Sequence, residues 1–241
     1  MDHKPALIFD VNETLLDLDH LAPLFNRLFG SPHVLREWFA QLVLYAQSLT
    51  LNHHSLPFGV LGGEVLKMVA ATHGKTLPAG ASHDLQRAIA TLPVWPEVPQ
   101  ALARLKAAGF SLYTLTNNSA EVLYAQLDAA AIAHYFTACF SVDELAAAAF
   151  KPAPAVYRAV EQRLGLAGSA LCLVACHHWD ILGARSAGWQ GAMLLRAGNA
   201  PLGVGPQPQF VAHDLAQLAD QLISHVATPT SEGGAGGRLT Q

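Results

Sequence analysis

Charged side chains are scarce in this chain: Asp, Glu, Lys and Arg make up only 13% of its 241 residues, about half the usual ~25%. Fourteen basic residues stand against eighteen acidic ones, for a formal charge of −4. No Lys/Arg block occurs, so there is no electrostatic footprint for a nucleic-acid backbone or an anionic membrane. Cysteine is scarce too. Cys139, Cys172 and Cys176 are odd in number and lack metal-type spacing, which argues against a disulfide framework and for a reducing, cytoplasmic setting. Long hydrophobic runs are missing: the first, Ala6 to Phe9, stops at Asp10, and neither a signal peptide nor a transmembrane span fits it. Apolar residues are plentiful, at 51%. That suffices to bury a core in one large domain, or in a core domain with a sizeable insert.

Short apolar runs at Ala6–Phe9, Ser111–Leu115, Leu171–Ala175 and Ala192–Leu195 read as strands. Helical stripes separate the later ones: Val98–Ala108 closed by Gly109, Ser119–Ala129, Val156–Leu164 closed by Gly165, and Trp179–Ala187 closed by Gly188. Strands alternating with helices predict an α/β fold with a parallel sheet. Residues 17–93 differ, carrying amphipathic patterns at Leu21–Phe29, Val34–Leu51 and Val60–Ala71 with no convincing strand. The expected organisation is a core of residues 1–16 and 94–226, an all-helical cap of 17–93 over the strand ends, and a disordered tail of 227–241.

Four features fall at the expected strand ends: Asp10 with Thr14, Thr116 with Asn117, Lys151, and Asp180. Each has an ordinary explanation alone. An Asp after an apolar run is usually a turn or cap, a Lys before Pro a solvated loop residue, and Thr-Asn or Asp a helix cap. Other candidates are weaker still. His53 and His54 lack partners at metal-ligand spacing, no Lys-Ser/Thr follows Gly59, Gly62 and Gly63, and Trp38, Phe39 and Tyr45 fit the roof of an apolar substrate pocket or a self-association surface, though helical spacing alone favours core packing.

In order and context the four features resemble the haloacid dehalogenase (HAD) superfamily, through FDVNETLLD at 9–17, LTNNS at 115–119, KPAPAVY at 151–157 and VACHHWDILGA at 174–184. The resemblance implies a Rossmann-like core with Asp10 as nucleophile, Lys151 as its cation, and Asp180 holding Lys151 and orienting water. Thr14, Asn12, Thr116 and Asn117 would position Asp10 and an anionic substrate.

Phosphatases of the superfamily carry a second Asp where this chain has Asn12, and an amide cannot protonate a leaving alcohol. Metal-dependent members carry Gly-Asp where Ala175-Cys176 stand here, and a thiol is a poor Mg²⁺ ligand. No metal and no cofactor is therefore expected. The sequence is most similar to the type II 2-haloacid dehalogenase branch, which shares the aromatic of Trp179-Asp180 and the Tyr of Tyr157. That similarity implies a short 2-haloacid substrate with Tyr157, Trp179 and Phe39 among the residues that bind it, an aspartyl-ester intermediate and a homodimer.

Two departures stand out. Phe39 follows Trp38 where well-known members carry a halide-binding Arg, and Arg36 is expected to point elsewhere. Ala175, Cys176 and His177 replace Ser-Ser-Asn, which makes His177 the natural substitute donor for the halide, with His178 expected to face solvent. A HAD phosphatase and a catalytically degenerate member remain the alternatives.

Overall fold

A computed structural model describes residues 4–145 and 147–227. Ala6–Phe9 forms β1, buried along its whole length, as a strand covered on both faces must be. It pairs in parallel with β2 (Leu112–Thr116) on one side and β4 (Leu171–Ala175) on the other. With β3 (Ala138–Ser141), β5 (Gln190–Leu194) and β6 (Phe210–Ala212), they make a six-stranded parallel sheet of order β3-β2-β1-β4-β5-β6. The order reverses between β1 and β4, opening a crevice at their carboxyl ends where α/β sheets receive ligands. Asp10 follows β1 into that crevice and Cys176 follows β4.

Between β1 and β2 the described residues form a 3₁₀ turn (Leu18–Leu21) and the helices α1 (Ala22–Phe29), α2 (Val34–Leu51), α3 (Phe58–Thr72) and α4 (Ala81–Ala90). The all-helical reading of this stretch holds. Its apolar faces pack inward around Trp38, whose indole donates to the Gly62 carbonyl at 3.0 Å. Helices α5 (Val98–Ala107), α6 (Ala120–Ala129), α7 (Pro154–Leu164), α8 (His178–Ser186) and α9 (Leu215–Ala227) flank the sheet. Ser119 caps α6 by accepting from Val122 N. Gly165 ends α7 at φ +65°, a left-handed conformation glycine adopts freely.

Several expectations need correction. β3, β6 and α4 were not legible in the sequence: β3 and β6 are short edge strands, and only Ala81 and Leu85 are buried on α4. β5 begins at Gln190, ahead of the apolar run, because Gln190 still pairs with Cys172. Lys151 lies in the loop between β3 and α7, not at a strand end. The expected disordered tail, apart from Ala227, which ends α9, lies outside the described residues. No helix among the described residues is long and apolar enough to cross a membrane.

Helices α7 and α8 meet at Gly183, where a Cβ would fall 2.5 Å from the Tyr157 hydroxyl and 2.6 Å from Pro152 Cβ. Gly183→Ala is therefore expected to cost about 1–3 kcal/mol through overpacking, measured by denaturant unfolding; a change under about 0.5 kcal/mol would show that the contact yields freely.

Candidate active site

Strand β1 ends in Asp10, and the tight turn after it returns Thr14 to the carboxylate. The Thr14 hydroxyl donates to Asp10 Oδ2 at 2.7 Å and accepts from Cys176 N at 3.0 Å, joining the ends of β1 and β4. Lys151 reaches the same carboxylate from the β3–α7 loop. Its buried ammonium donates to Asp10 Oδ1 at 2.8 Å, Asp180 Oδ2 at 2.7 Å and the Leu115 carbonyl at 2.9 Å. All three of its hydrogens are thereby used. Tyr157 donates to the other Asp180 oxygen at 2.5 Å. Asp180 is fully buried, and with both oxygens engaged it holds Lys151 but has no oxygen turned to a water in the cavity.

One ammonium between two carboxylates makes their environments unequal. Burial opposes the charge on Asp10, but Lys151 and His177 outweigh it and hold the carboxyl well below the usual range. Asp180 lacks the second cation, and burial together with the nearby Asp10 charge leaves its pKa raised despite Lys151. Burial would lower the Lys151 pKa, yet Asp10 and Asp180 raise it. Asp10 is thus the permanently ionised member of the pair.

A cavity of about 20 Å³ lies against Asp10, bordered by Asn12, Phe39, Val43, Phe58, Thr116, Asn117, Lys151, His177 and Trp179. Eight of the expected site residues therefore come together here: Asp10, Asn12, Phe39, Thr116, Asn117, Lys151, His177 and Trp179. Thr14 and Tyr157, expected to bind substrate, instead sit behind the carboxylates they hold. The three polar wall residues are alike in one respect. Asn12 Oδ1 accepts from Gln126 Nε2 at 2.8 Å, Asn117 Oδ1 from Lys151 N at 2.9 Å, and Thr116 Oγ1 from Asn118 N at 3.2 Å. Gln126 Nε2 also donates to the Ile89 carbonyl at 2.9 Å, an obligate acceptor, which fixes the orientation of both amides. Each acceptor oxygen is thus already engaged by one protein donor, which turns the two amide NH₂ groups and the hydroxyl hydrogen to the ligand, a set suited to an anion. The cavity holds about one water, so a larger ligand enters only if the α2–α3 wall moves. A second, apolar cavity of about 40 Å³ adjoins it through Asn12, Phe39 and Phe58.

His177 lies between two aromatic rings, Trp179 at 5.2 Å and Phe39 at 5.3 Å. Its Nε2 is 2.8 Å from Glu13 Oε2, and its Nδ1 is 3.3 Å from Asp10 Oδ2 but out of line for a formed hydrogen bond. Burial opposes the imidazolium, whereas Cys176, Asp10 and Glu13 favour it, and the pKa is raised. Burial raises the Cys176 thiol and keeps it protonated near neutrality, so the two carboxylates provide the charge that stabilises the imidazolium. Arg36 does point away from the cavity, as expected; it pairs with Glu13 and Asp19. His178, expected to face solvent, is buried at the start of α8, with neither ring nitrogen hydrogen-bonded among the described residues. Four functional neighbours went unrecognised in the sequence: Glu13, Arg36, Gln126 and Arg196, the last donating to the Thr14 carbonyl at 3.0 Å. Nothing local to them signals a role, because each acts on a residue distant in the chain.

A Mg²⁺ ion does not suit this donor set. The groups converging beside Asp10 are a thiol and an imidazole, Cys176 and His177, whereas Mg²⁺ requires oxygen ligands.

Residues 4–188 match the family model for haloacid dehalogenase-like hydrolases. The chain is 30% identical to (S)-2-haloacid dehalogenase 4A of Burkholderia cepacia over 83% of this chain and 87% of that one. It is 29% identical to (S)-2-haloacid dehalogenase 1 of Pseudomonas sp. strain CBS-3, over 91% and 96%. Among solved structures, a dehalogenase with an intermediate complex superposes with a TM-score of 0.84 at 27% identity, covering 92% of this chain and 99% of that one.

Replacing Lys151 by Met leaves two buried carboxylates without their shared cation. The variant is expected to lose about 3–5 kcal/mol at pH 7. Its buried carboxylates then bind protons more readily than in the unfolded chain, so the deficit should shrink as pH falls from 7 to 5. Denaturant unfolding at the two pH values measures this, and a pH-independent deficit would contradict it.

Proposed function

The chain belongs to the haloacid dehalogenase-like hydrolases, and on that premise we propose that it hydrolyses the carbon–halogen bond of a short (S)-2-haloalkanoic acid without a metal. The observation that carries this is the wall of Asn12, Thr116 and Asn117, whose acceptor oxygens are each engaged by a protein donor and whose own donors are left for a ligand, beside an ionised Asp10. It suits a substrate carboxylate and offers no acid for a leaving alcohol. A halide needs none.

In this mechanism the wall donors hold the substrate carboxylate while an Asp10 oxygen attacks the halogen-bearing carbon in line. The bonding pair departs with the halide and the carbon inverts, leaving an aspartyl ester. Water then opens the ester at the Asp10 carboxyl carbon, releasing the 2-hydroxy acid and a proton and restoring Asp10 with one solvent oxygen. Lys151 stabilises Asp10 before attack and the charge that develops on it during hydrolysis. Asp180, itself held by Tyr157, keeps Lys151 in place; Thr14 keeps Asp10 in place. His177 offers Nδ1–H to the departing halide, and Phe39 and Trp179 surround the carbon end. Residues 17–93 act as a cap on the 1–16 and 94–226 core. A cytoplasmic location rests on the unpaired cysteines, and a homodimer on the family resemblance.

Halide release is expected from chloroacetate and (S)-2-chloropropionate, undiminished by a chelator, and Asp10→Asn should lower it at least ~10⁴-fold. Turnover in ¹⁸O water should place label in Asp10, read by peptide mass spectrometry. Mg²⁺-dependent release of phosphate from an aryl phosphate, with no halide from either haloacid, would overturn the assignment in favour of a phosphatase.

A further inference from the structure

Glu13 is not needed for the fold in any obvious way, yet its placement is costly in two respects. It is a carboxylate 1% exposed, and its backbone stands at φ +66°, a region that non-glycine residues seldom occupy and that surrounding contacts must enforce. Those contacts are present: Arg36 of α2 pairs with Oε1, Asn199 donates to Oε1 at 2.9 Å, and Trp95 donates to the Glu13 carbonyl at 3.0 Å. The remaining oxygen, Oε2, lies 2.8 Å from His177 Nε2.

We propose that Glu13 is a positioning residue for His177: by accepting from Nε2 while pinned by Arg36 and Asn199, it fixes the ring so that Nδ1–H stands at the cavity wall beside Asp10, available to the departing halide. The proposal rests on the dehalogenase assignment for what His177 does, but not for how Glu13 holds it. The stacked ring of Trp179 and the tilted ring of Phe39 fix the plane of the imidazole. They leave the 180° flip about Cβ–Cγ, which keeps the plane but exchanges Nδ1 with Cδ2 and Nε2 with Cε1, and a hydrogen bond to Nε2 selects between the two orientations. Glu13 makes that selection. Its charge also favours the doubly protonated ring, together with Asp10 and against Lys151, which borders the same cavity. Cys176 adjoins the ring as a thiol, and Arg36 approaches Glu13 from the side opposite His177 and partly offsets its charge. Because the carboxylates favour the imidazolium, Nδ1–H survives to higher pH than in an unpaired histidine and is lost as pH climbs past the raised value. Removing the Glu13 charge brings the loss to lower pH.

The test is Glu13→Gln, which preserves shape and a hydrogen-bond acceptor but not charge, with Glu13→Asp as the conservative rescue. Imidazole ¹⁵N NMR of the full chain without substrate should show His177 titrating at lower pH in Glu13→Gln and close to wild type in Glu13→Asp. In halide release, the alkaline limb of the pH profile should move down with it. Activity at pH 8 should fall about 10- to 100-fold, more for a fluoro than a bromo substrate, because fluoride depends most on a donor. An unchanged His177 titration in Glu13→Gln, or a uniform activity loss with no shift of the limb, would overturn the proposal and leave Glu13 as a structural ion pair. If Glu13→Gln does not fold, Glu13→Ala, which removes the carboxylate altogether, carries the titration, and a His177 titration unchanged from wild type in that variant would count against the proposal. A wild-type protein that releases no halide while His177 still responds to Glu13 would sink the dehalogenase assignment alone.

Discussion

The Lys151 ammonium is the interaction on which the site depends. It is buried, its three hydrogens are directed at Asp10, Asp180 and the Leu115 carbonyl, and it brings the ends of three elements together: β1 through Asp10, β2 through Leu115 and α8 through Asp180. Two buried carboxylates would repel one another without it, and the ammonium would be costly to bury without them. The scarcity of charge elsewhere in the chain follows the same constraint. With few ionic groups to satisfy, the core can be built almost wholly from Leu, Val, Ala and Phe around one small ionic cluster.

Some of this was legible in the sequence and some was not, for physical reasons. Asp10 and Thr14 share one turn, Lys151 precedes a proline and a helix, and Trp179-Asp180 open α8, so each announces itself through neighbours in the chain. The central strands were legible because burial on both faces leaves continuous apolar runs. β3 and β6 lie at the sheet edges, where fewer side chains are buried and pairing is decided by backbone hydrogen bonds. Glu13 and His177 are 164 positions apart and Gln126 and Asn12 are 114 apart; no local pattern couples such residues. His178 was misread because its exposure is set by the packing around the start of α8 and not by its polarity.

The identity of the polar wall is a matter of which atoms are already spent. Asparagine and threonine each carry donors and acceptors, so their presence in a motif leaves the preferred charge of a ligand open. Here Gln126, Lys151 N and Asn118 N each engage one of those acceptor oxygens, which biases what is left for a ligand toward donors. Anion preference thus arises largely from backbone and neighbouring amides outside the ligand's reach.

Arg36 ties this site to the helices above it. Its guanidinium spans Glu13 in the β1 turn, Asp19 beyond it and the Ala197 carbonyl after β5, while its base stays on α2. The fastening is dry at the Glu13 end, where the carboxylate is 2% exposed, and wet at the other, where Asp19 is 46% exposed. Asp19 shares the 17–93 stretch with Arg36, so lifting that stretch off the core leaves the wet pair intact and must break the dry one to Glu13, which makes the cost of re-exposing a desolvated ion pair the main resistance to separation.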